Sequence, residues 1–133
     1  MKPSLWRAFR PLSLVLVCGW VSAQSSTSER NELKRANLAV SDAMEVITAV
    51  MEVKPGEELP RHTHHGVETG YVLEGATIQP PGKEPVPFPT GAAFIFERDV
   101  PRGGFKVVGD RTLKMVTVHV VDKGKPLMER VTN

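Results

Sequence analysis

The chain has 133 residues, of which 41% are hydrophobic and 24% charged, a size and balance that fit one domain with one core. Its 17 lysines and arginines against 15 aspartates and glutamates give a formal net charge of +2, too small for the basic face of a nucleic-acid-binding protein. The single cysteine excludes an intrachain disulfide.

The first 23 residues are predicted to be a cleavable signal peptide. Three basic residues precede an apolar run at residues 12–21, and the sequence Val-Ser-Ala at residues 21–23 supplies the small residues of a cleavage site before Gln24. The apolar run is too short to span a membrane and no stop-transfer segment follows it. We therefore expect a periplasmic or secreted protein with no membrane attachment after cleavage.

Two other interpretations of this segment remain open. One is an uncleaved amphipathic anchor, and the other is a lipoprotein modified at Cys18, which bulky Val17 disfavours because a small residue is expected before the modified cysteine. Cleavage after Ala23 would leave 110 of the 133 residues, with 14 basic and 15 acidic side chains and a net charge of −1. It would also remove the only cysteine, so the core alone would hold the fold.

The rest of the chain predicts an arm followed by a β-domain. Residues 25–37 are polar and charged with little apolar periodicity, so residues 24–40 are predicted to be an N-terminal linker or arm, with a frayed short helix as the alternative. Residues 41–133 form the predicted domain. Short runs rich in β-branched residues, separated by Gly and Pro about every eight to twelve residues, predict strands and an all-β sandwich or small barrel. The predicted strands are residues 44–53, 68–73, 76–79, 86–89, 92–96, 105–108 and 113–121.

Two histidines and a carboxylate fall within seven residues, just before a predicted strand. Residues two apart in an extended chain point to the same face, so His62 and His64 can aim at one point, and Glu68 shares their parity. Two imidazoles and one carboxylate form the ligand set of non-haem iron sites, which other divalent metals also accept. The cluster therefore predicts a metal site on one wall of a barrel.

The spacing around this cluster resembles the first motif of the cupins, G-x5-H-x-H-x3-E-x6-G. Every fixed position of that motif is filled, by Gly56, His62, His64, Glu68 and Gly75. The chain is therefore identified as similar to a small single-domain bacterial cupin over about residues 44–121. The resemblance implies an all-β jelly-roll barrel, also called a double-stranded β-helix. It further implies a divalent metal (Fe, Mn, Zn or Ni), a small-molecule ligand and a homodimer.

The second cupin motif, G-x5-P-x-G-x2-H-x3-N, is degenerate in this chain. With its first glycine at Gly91, the position of the remaining metal-binding histidine is taken by Arg102, and a proline precedes it as in the family. Arginine is always protonated and has no lone pair for a metal. If its side chain points inward, we expect a guanidinium–carboxylate pair with Glu68; a solvated surface arginine is the other interpretation.

Three arrangements of the site remain open. A metal could stay on the three first-motif ligands while Arg102 faces solvent or binds an anionic substrate. The site could instead be metal-free, with Arg102 filling its volume. Another histidine could also complete the set; His65 should point the other way, whereas His119 on the last long strand would serve if it faces inward.

Two functions of different class follow. The first is a metal-dependent enzyme, dioxygenase-like or isomerase-like, in which Glu68 is a metal ligand and not a free base. Arg102 and His119 are its candidate substrate-binding residues. The second is a non-catalytic, metal-free cupin that binds a small molecule and pairs Arg102 with Glu68.

Overall fold

The computed structural model describes residues 28–131, which form eleven strands and, within that range, no helix. The strands are β1 (Glu29–Leu38), β2 (Ser41–Val53), β3 (Glu58–Leu59), β4 (His62–Thr63), β5 (Gly66–Glu74), β6 (Ala76–Gln79), β7 (Val86–Phe88), β8 (Ala93–Phe96), β9 (Phe105–Val108), β10 (Leu113–Asp122) and β11 (Glu129–Arg130). No membrane-spanning helix is found among these residues. The predicted signal peptide lies outside them.

The strands pair in two main antiparallel sheets. One sheet has five strands in the order β1-β2-β10-β5-β8, and the other has four in the order β3-β9-β6-β7. The short strands β4 and β11 form a separate pair. Apart from the consecutive pairs β1–β2 and β6–β7, neighbours in the sheets are distant in sequence, as in a jelly roll, so the predicted all-β jelly-roll barrel is confirmed.

The core lies between the two sheets. Along β2 and β10 buried and half-buried residues alternate, because one face of each strand packs inward. The core cluster combines residues of both sheets: Met51, Val53, Leu59, Val72, Ala76, Val107, Leu113 and Met115. Strand β10 pairs with β2 on one side and β5 on the other, and this pairing sets His119 opposite Glu68 within the wall of the barrel.

The seven predicted strands are present with small shifts at their ends. The predictions for residues 76–79 and 105–108 match β6 and β9 to the residue. The prolines around residues 86–89 indicate an edge position, and β7 is indeed the edge strand of its sheet. Gly56, which closes the turn before the histidines, has a φ of 84°, so a side chain there would be strained.

The predicted linker or helix over residues 25–37 is wrong for the part of it that the structure describes. Strand β1 pairs antiparallel with β2 from Glu29 opposite Glu52 to Leu38 opposite Ser41. Eight of its ten residues are exposed, so the strand has no apolar alternation to reveal it. Backbone pairing with the long β2 is what holds it in the sheet. The division of the chain at residue 40 stays a prediction.

Candidate metal centre

His62 and His64 project from one face of the segment at β4. Both are 1% exposed, and their ring centroids lie 4.8 Å apart. His65, between them and the next strand, faces away and contacts Asp99 and Glu129 at the surface. The alternation expected from the sequence therefore directs two neighbouring imidazoles to the barrel interior and excludes the third.

The outer ring nitrogens of these two histidines are held by the backbone. Nδ1 of His62 lies 2.7 Å from the carbonyl oxygen of Pro60, and Nδ1 of His64 hydrogen-bonds the carbonyl oxygen of Leu127. Because a carbonyl only accepts, each Nδ1 carries the proton and each Nε2 keeps its lone pair. This is the arrangement that metal-binding histidines adopt.

Glu68 on β5 brings a carboxylate to the same point. It is 3% exposed, and one ligand atom from each of His62, His64 and Glu68 lies within 4.8 Å of the others. Nε2 of His64 is buried 3.3 Å from Glu68 Oε2, yet it has no hydrogen-bond partner among the described residues. A buried nitrogen lone pair without a donor is costly unless something binds it. The three residues therefore fit a divalent cation.

The carboxylate of Glu68 is ionised despite its burial. Burial alone would raise its pKa, but the hydrogen bond from the permanently charged Arg102 and the neighbouring imidazole rings outweigh that effect, so the pKa of Glu68 lies below its usual value. The site thus holds a permanent negative charge at neutral pH. A divalent cation and a guanidinium are the two groups that can compensate it.

Arg102 supplies one such compensation. Its side chain is buried, with Nη1 3.0 Å from Glu68 Oε2, so the interpretation of Arg102 as a surface residue is wrong. Nη2 donates to the carbonyl oxygen of Glu97 at 2.7 Å and Nε to that of Val100 at 3.1 Å. The guanidinium carbon also lies 4.9 Å from the ring centroid of Phe96, in cation–π geometry.

The loop that delivers Arg102 depends on a glycine. Gly103 has a φ of 72°, and a Cβ there would lie 2.5 Å from the carbonyl oxygen of Pro60. That carbonyl is the one that holds His62, so this glycine allows the arginine loop to pack directly against the histidine support. His62 and Arg102 also exchange backbone hydrogen bonds of 2.9 and 2.8 Å.

His119 faces the barrel interior but is not part of the group formed by His62, His64 and Glu68. It is fully buried, its ring centroid lies 4.7 Å from that of His64, and its Nε2 is 3.0 Å from Thr117 Oγ1 and 3.9 Å from Glu68 Oε1. Burial lowers the pKa of His119 to about 3, so it is neutral at physiological pH. The sequence leaves the parity of His119 open, and the structure shows that it is inward. The proposed contacts of His119 and Arg102 with substrate stay predictions.

An apolar cavity of about 390 Å³ opens onto this cluster. Its polar wall consists of His62, Glu68 and Arg102. The rest is lined mainly by Met51, Leu59, Ile78, Phe88, Phe94, Phe96, Phe105 and Met115. A cavity of this size with a few converging polar groups is typical of small-molecule sites.

The sequence does not reveal the role of the C-terminal tail, defined here as residues 126–131. Besides the Leu127 carbonyl, β11 of this tail pairs with β4, and Val131 N donates to Arg61 O at 3.0 Å. Glu129 Oε1 lies 3.0 Å from His65 Nε2. The tail thus covers the outer side of the segment that carries both histidines. His64 and Leu127, which supports it, are 63 residues apart in the sequence.

Deleting residues 126–133 should lower the affinity of the site for divalent metal by about 10- to 100-fold, since the support of His64 is lost. Competition with a chromophoric chelator measures this change. Glu129→Gln is the matched control, because it weakens the contact to His65 but keeps the Leu127 carbonyl. Full affinity in the truncated protein would show that the tail does not position His64.

Comparison with known proteins gives the family of this fold. A cupin domain model matches residues 49–119. None of the proteins with curated functions matches the chain significantly. The matching solved structures include an uncharacterized conserved protein with a double-stranded β-helix domain from Klebsiella pneumoniae, at 17% identity and a TM-score of 0.57, covering 83% of this chain and 89% of that one.

Two further solved structures have the same fold. The polyketide cyclase RemF from Streptomyces resistomycificus is 21% identical with a TM-score of 0.57, over 80% of this chain and 72% of that chain. The cupin domain of Cnp3 from Schizosaccharomyces pombe is 16% identical with a TM-score of 0.53, over 76% and 66% of the two chains. At these identities the likeness shows the fold.

Proposed function

This chain belongs to the cupin family, whose domain model matches more than half of it, and we propose that it is an exported, metal-dependent enzyme acting on a small molecule. The single observation that carries the proposal is the convergence of one ligand atom each from His62, His64 and Glu68, with the Nδ1 atoms of both histidines held by carbonyls. The candidate metals are Fe, Mn, Zn and Ni.

A bound divalent metal would supply a Lewis acid or a site for dioxygen, in a dioxygenase-like or isomerase-like reaction. The residues of the chain prepare that site. Glu68 acts as a ligand and not as a free base, and Arg102 fixes its Oε2. The phenylalanine-lined cavity offers apolar walls to the apolar part of a substrate. That RemF is described as a cyclase supports the view that this barrel suits small-molecule chemistry.

The metal content of the protein tests the proposal. The mature chain, purified without a histidine tag and loaded with each candidate metal in turn, is measured by elemental analysis after desalting. We expect about one metal ion per chain for at least one of them. Metal far below one per chain after every loading would refute the metal-dependent function.

The second candidate function is a metal-free binding cupin. It is favoured by the Arg102 Nη1 to Glu68 Oε2 contact of 3.0 Å, which compensates the buried carboxylate without any metal. In this function the cavity holds a small molecule, and Arg102 stabilises the fold by pairing with the buried carboxylate of Glu68. Binding of a ligand by protein that takes up no metal would establish it.

Arg102→His should raise the affinity for divalent metal by about tenfold or more. The substitution removes a positive charge beside the site and offers an imidazole lone pair at the family's fourth-ligand position. Titration with Co²⁺, followed by its visible absorption, compares the variant with the wild type. An unchanged affinity would mean that residue 102 does not reach the metal position.

Export and dimer formation complete the proposal. The N-terminal sequence of protein recovered from the periplasm or medium should begin at Gln24; recovery with residues 1–23 intact would contradict cleavage.

A homodimer is supported by apolar side chains exposed on the outer face of the five-stranded sheet, which include Val67, Tyr71 and Ile95. Light scattering of the mature protein should give twice the monomer mass.

A further inference from the structure

Strand β1 carries an arginine that forms no salt bridge with any of residues 28–131. Arg30 is opposite Met51 in the β1–β2 register, on the inner side of the strand, and is half-buried where most of β1 is exposed. Its closest polar contact is Nη2 to Met51 Sδ at 4.0 Å. By contrast, Arg35 on the same strand pairs with both Glu32 and Glu45.

Arg30 adjoins the wall of the cavity through one residue. Met51, whose Sδ its Nη2 contacts, lines the cavity together with Glu68 and His62. Burial lowers the pKa of Arg30, which means that its cation is partly stripped of water.

A partly desolvated guanidinium with no anion in contact with it is an incomplete ion pair. Arg102, the other cation at the cavity, already donates from Nη1, Nη2 and Nε to Glu68, Glu97 and Val100. Arg30 donates to no oxygen among the described residues, so its fork of donors stays available. Such a fork matches a carboxylate better than any other common small-molecule group.

We propose that the cavity binds a small amphipathic carboxylic acid, whose apolar body lies among the phenylalanines and whose carboxylate is held by Arg30. This inference deepens the proposed function by giving its substrate class, but the anion site does not itself require a metal. It also gives a role to β1, an edge strand that is mostly exposed and otherwise contributes backbone pairing and the ion pairs of Arg35.

The test compares 4-phenylbutanoate with its neutral amide, 4-phenylbutanamide, by calorimetric titration of the mature protein in metal-free and metal-loaded form. In wild-type protein we expect the acid to bind at least about tenfold more tightly than the amide in both forms. Arg30→Met should abolish this preference. Lys34→Met, which removes an exposed cation from the same strand, should retain it.

Equal binding of acid and amide, binding of neither, or a preference that survives in Arg30→Met would overturn the inference. A preference that needs metal and is independent of Arg30 would mean that the metal holds the carboxylate, which overturns the inference while supporting the proposed function. A preference that is lost in Arg30→Met, in protein that takes up no metal, would support the inference and refute the metal-dependent function. Thermal melting of each variant confirms that it is folded.

Discussion

Replacing His64 with alanine is expected to lower the affinity for divalent metal by roughly 100- to 1,000-fold. The reason is that a four-ligand zinc site is worth about 10–16 kcal/mol, so one ligand accounts for a few kcal/mol. His64 Nε2 is also buried without a hydrogen-bond partner among the described residues, 3.3 Å from Glu68 Oε2. Elemental analysis and Co²⁺ titration of the variant measure the loss.

The neighbouring histidine gives a matched control. His65→Ala removes an imidazole one residue away whose partners are the surface carboxylates of Asp99 and Glu129. We expect this variant to bind metal as the wild type does. Metal retained by His64→Ala at wild-type affinity would place the site elsewhere, and equal loss in both variants would indicate a general effect on folding.

Arg102→Met is expected to destabilise the metal-free protein by about 3–5 kcal/mol, because it leaves the buried carboxylate of Glu68 without its guanidinium partner. Methionine keeps much of the volume that fills the space beside Phe96. Urea unfolding in the presence of EDTA measures the change. EDTA is needed since a bound metal would compensate the same carboxylate.

A double variant separates the charge effect from the packing effect. Adding Glu68→Gln to Arg102→Met removes the unpaired charge while keeping the shape of the side chain, so most of the lost stability should return. If the single variant unfolds at the wild-type urea concentration, the ion pair does not contribute to stability. If the double variant is as unstable as the single one, the loss comes from packing alone.

The sequence predicts the ligand cluster because its geometry is local. His62 and His64 are two residues apart on an extended chain and Glu68 shares their parity, so alternation alone brings them to one wall. The strands are predictable from the sequence for the same reason, since residues of β2 and β10 alternate between a buried and a half-buried face. The inward position of Arg102 depends on the register of a degenerate motif, and only the structure shows its contact with Glu68.

What the sequence does not predict depends on contacts without a local pattern. Strand β1 is exposed at eight of its ten residues, so no periodicity distinguishes it from a linker, and the position of Arg30 beside Met51 cannot be inferred. The Leu127 carbonyl that supports His64 is a backbone atom, which any residue type would supply. Such contacts arise from topology and not from residue identity.

The central claim is that His62, His64 and Glu68 together hold a divalent metal. The most direct measurement is anomalous X-ray scattering from crystals of the metal-loaded mature protein. We predict one anomalous peak per chain, bonded to Nε2 of both histidines and to the carboxylate of Glu68. Crystals of loaded protein that show no peak at this position, with Arg102 still paired to Glu68, would contradict the claim and favour the metal-free binding function.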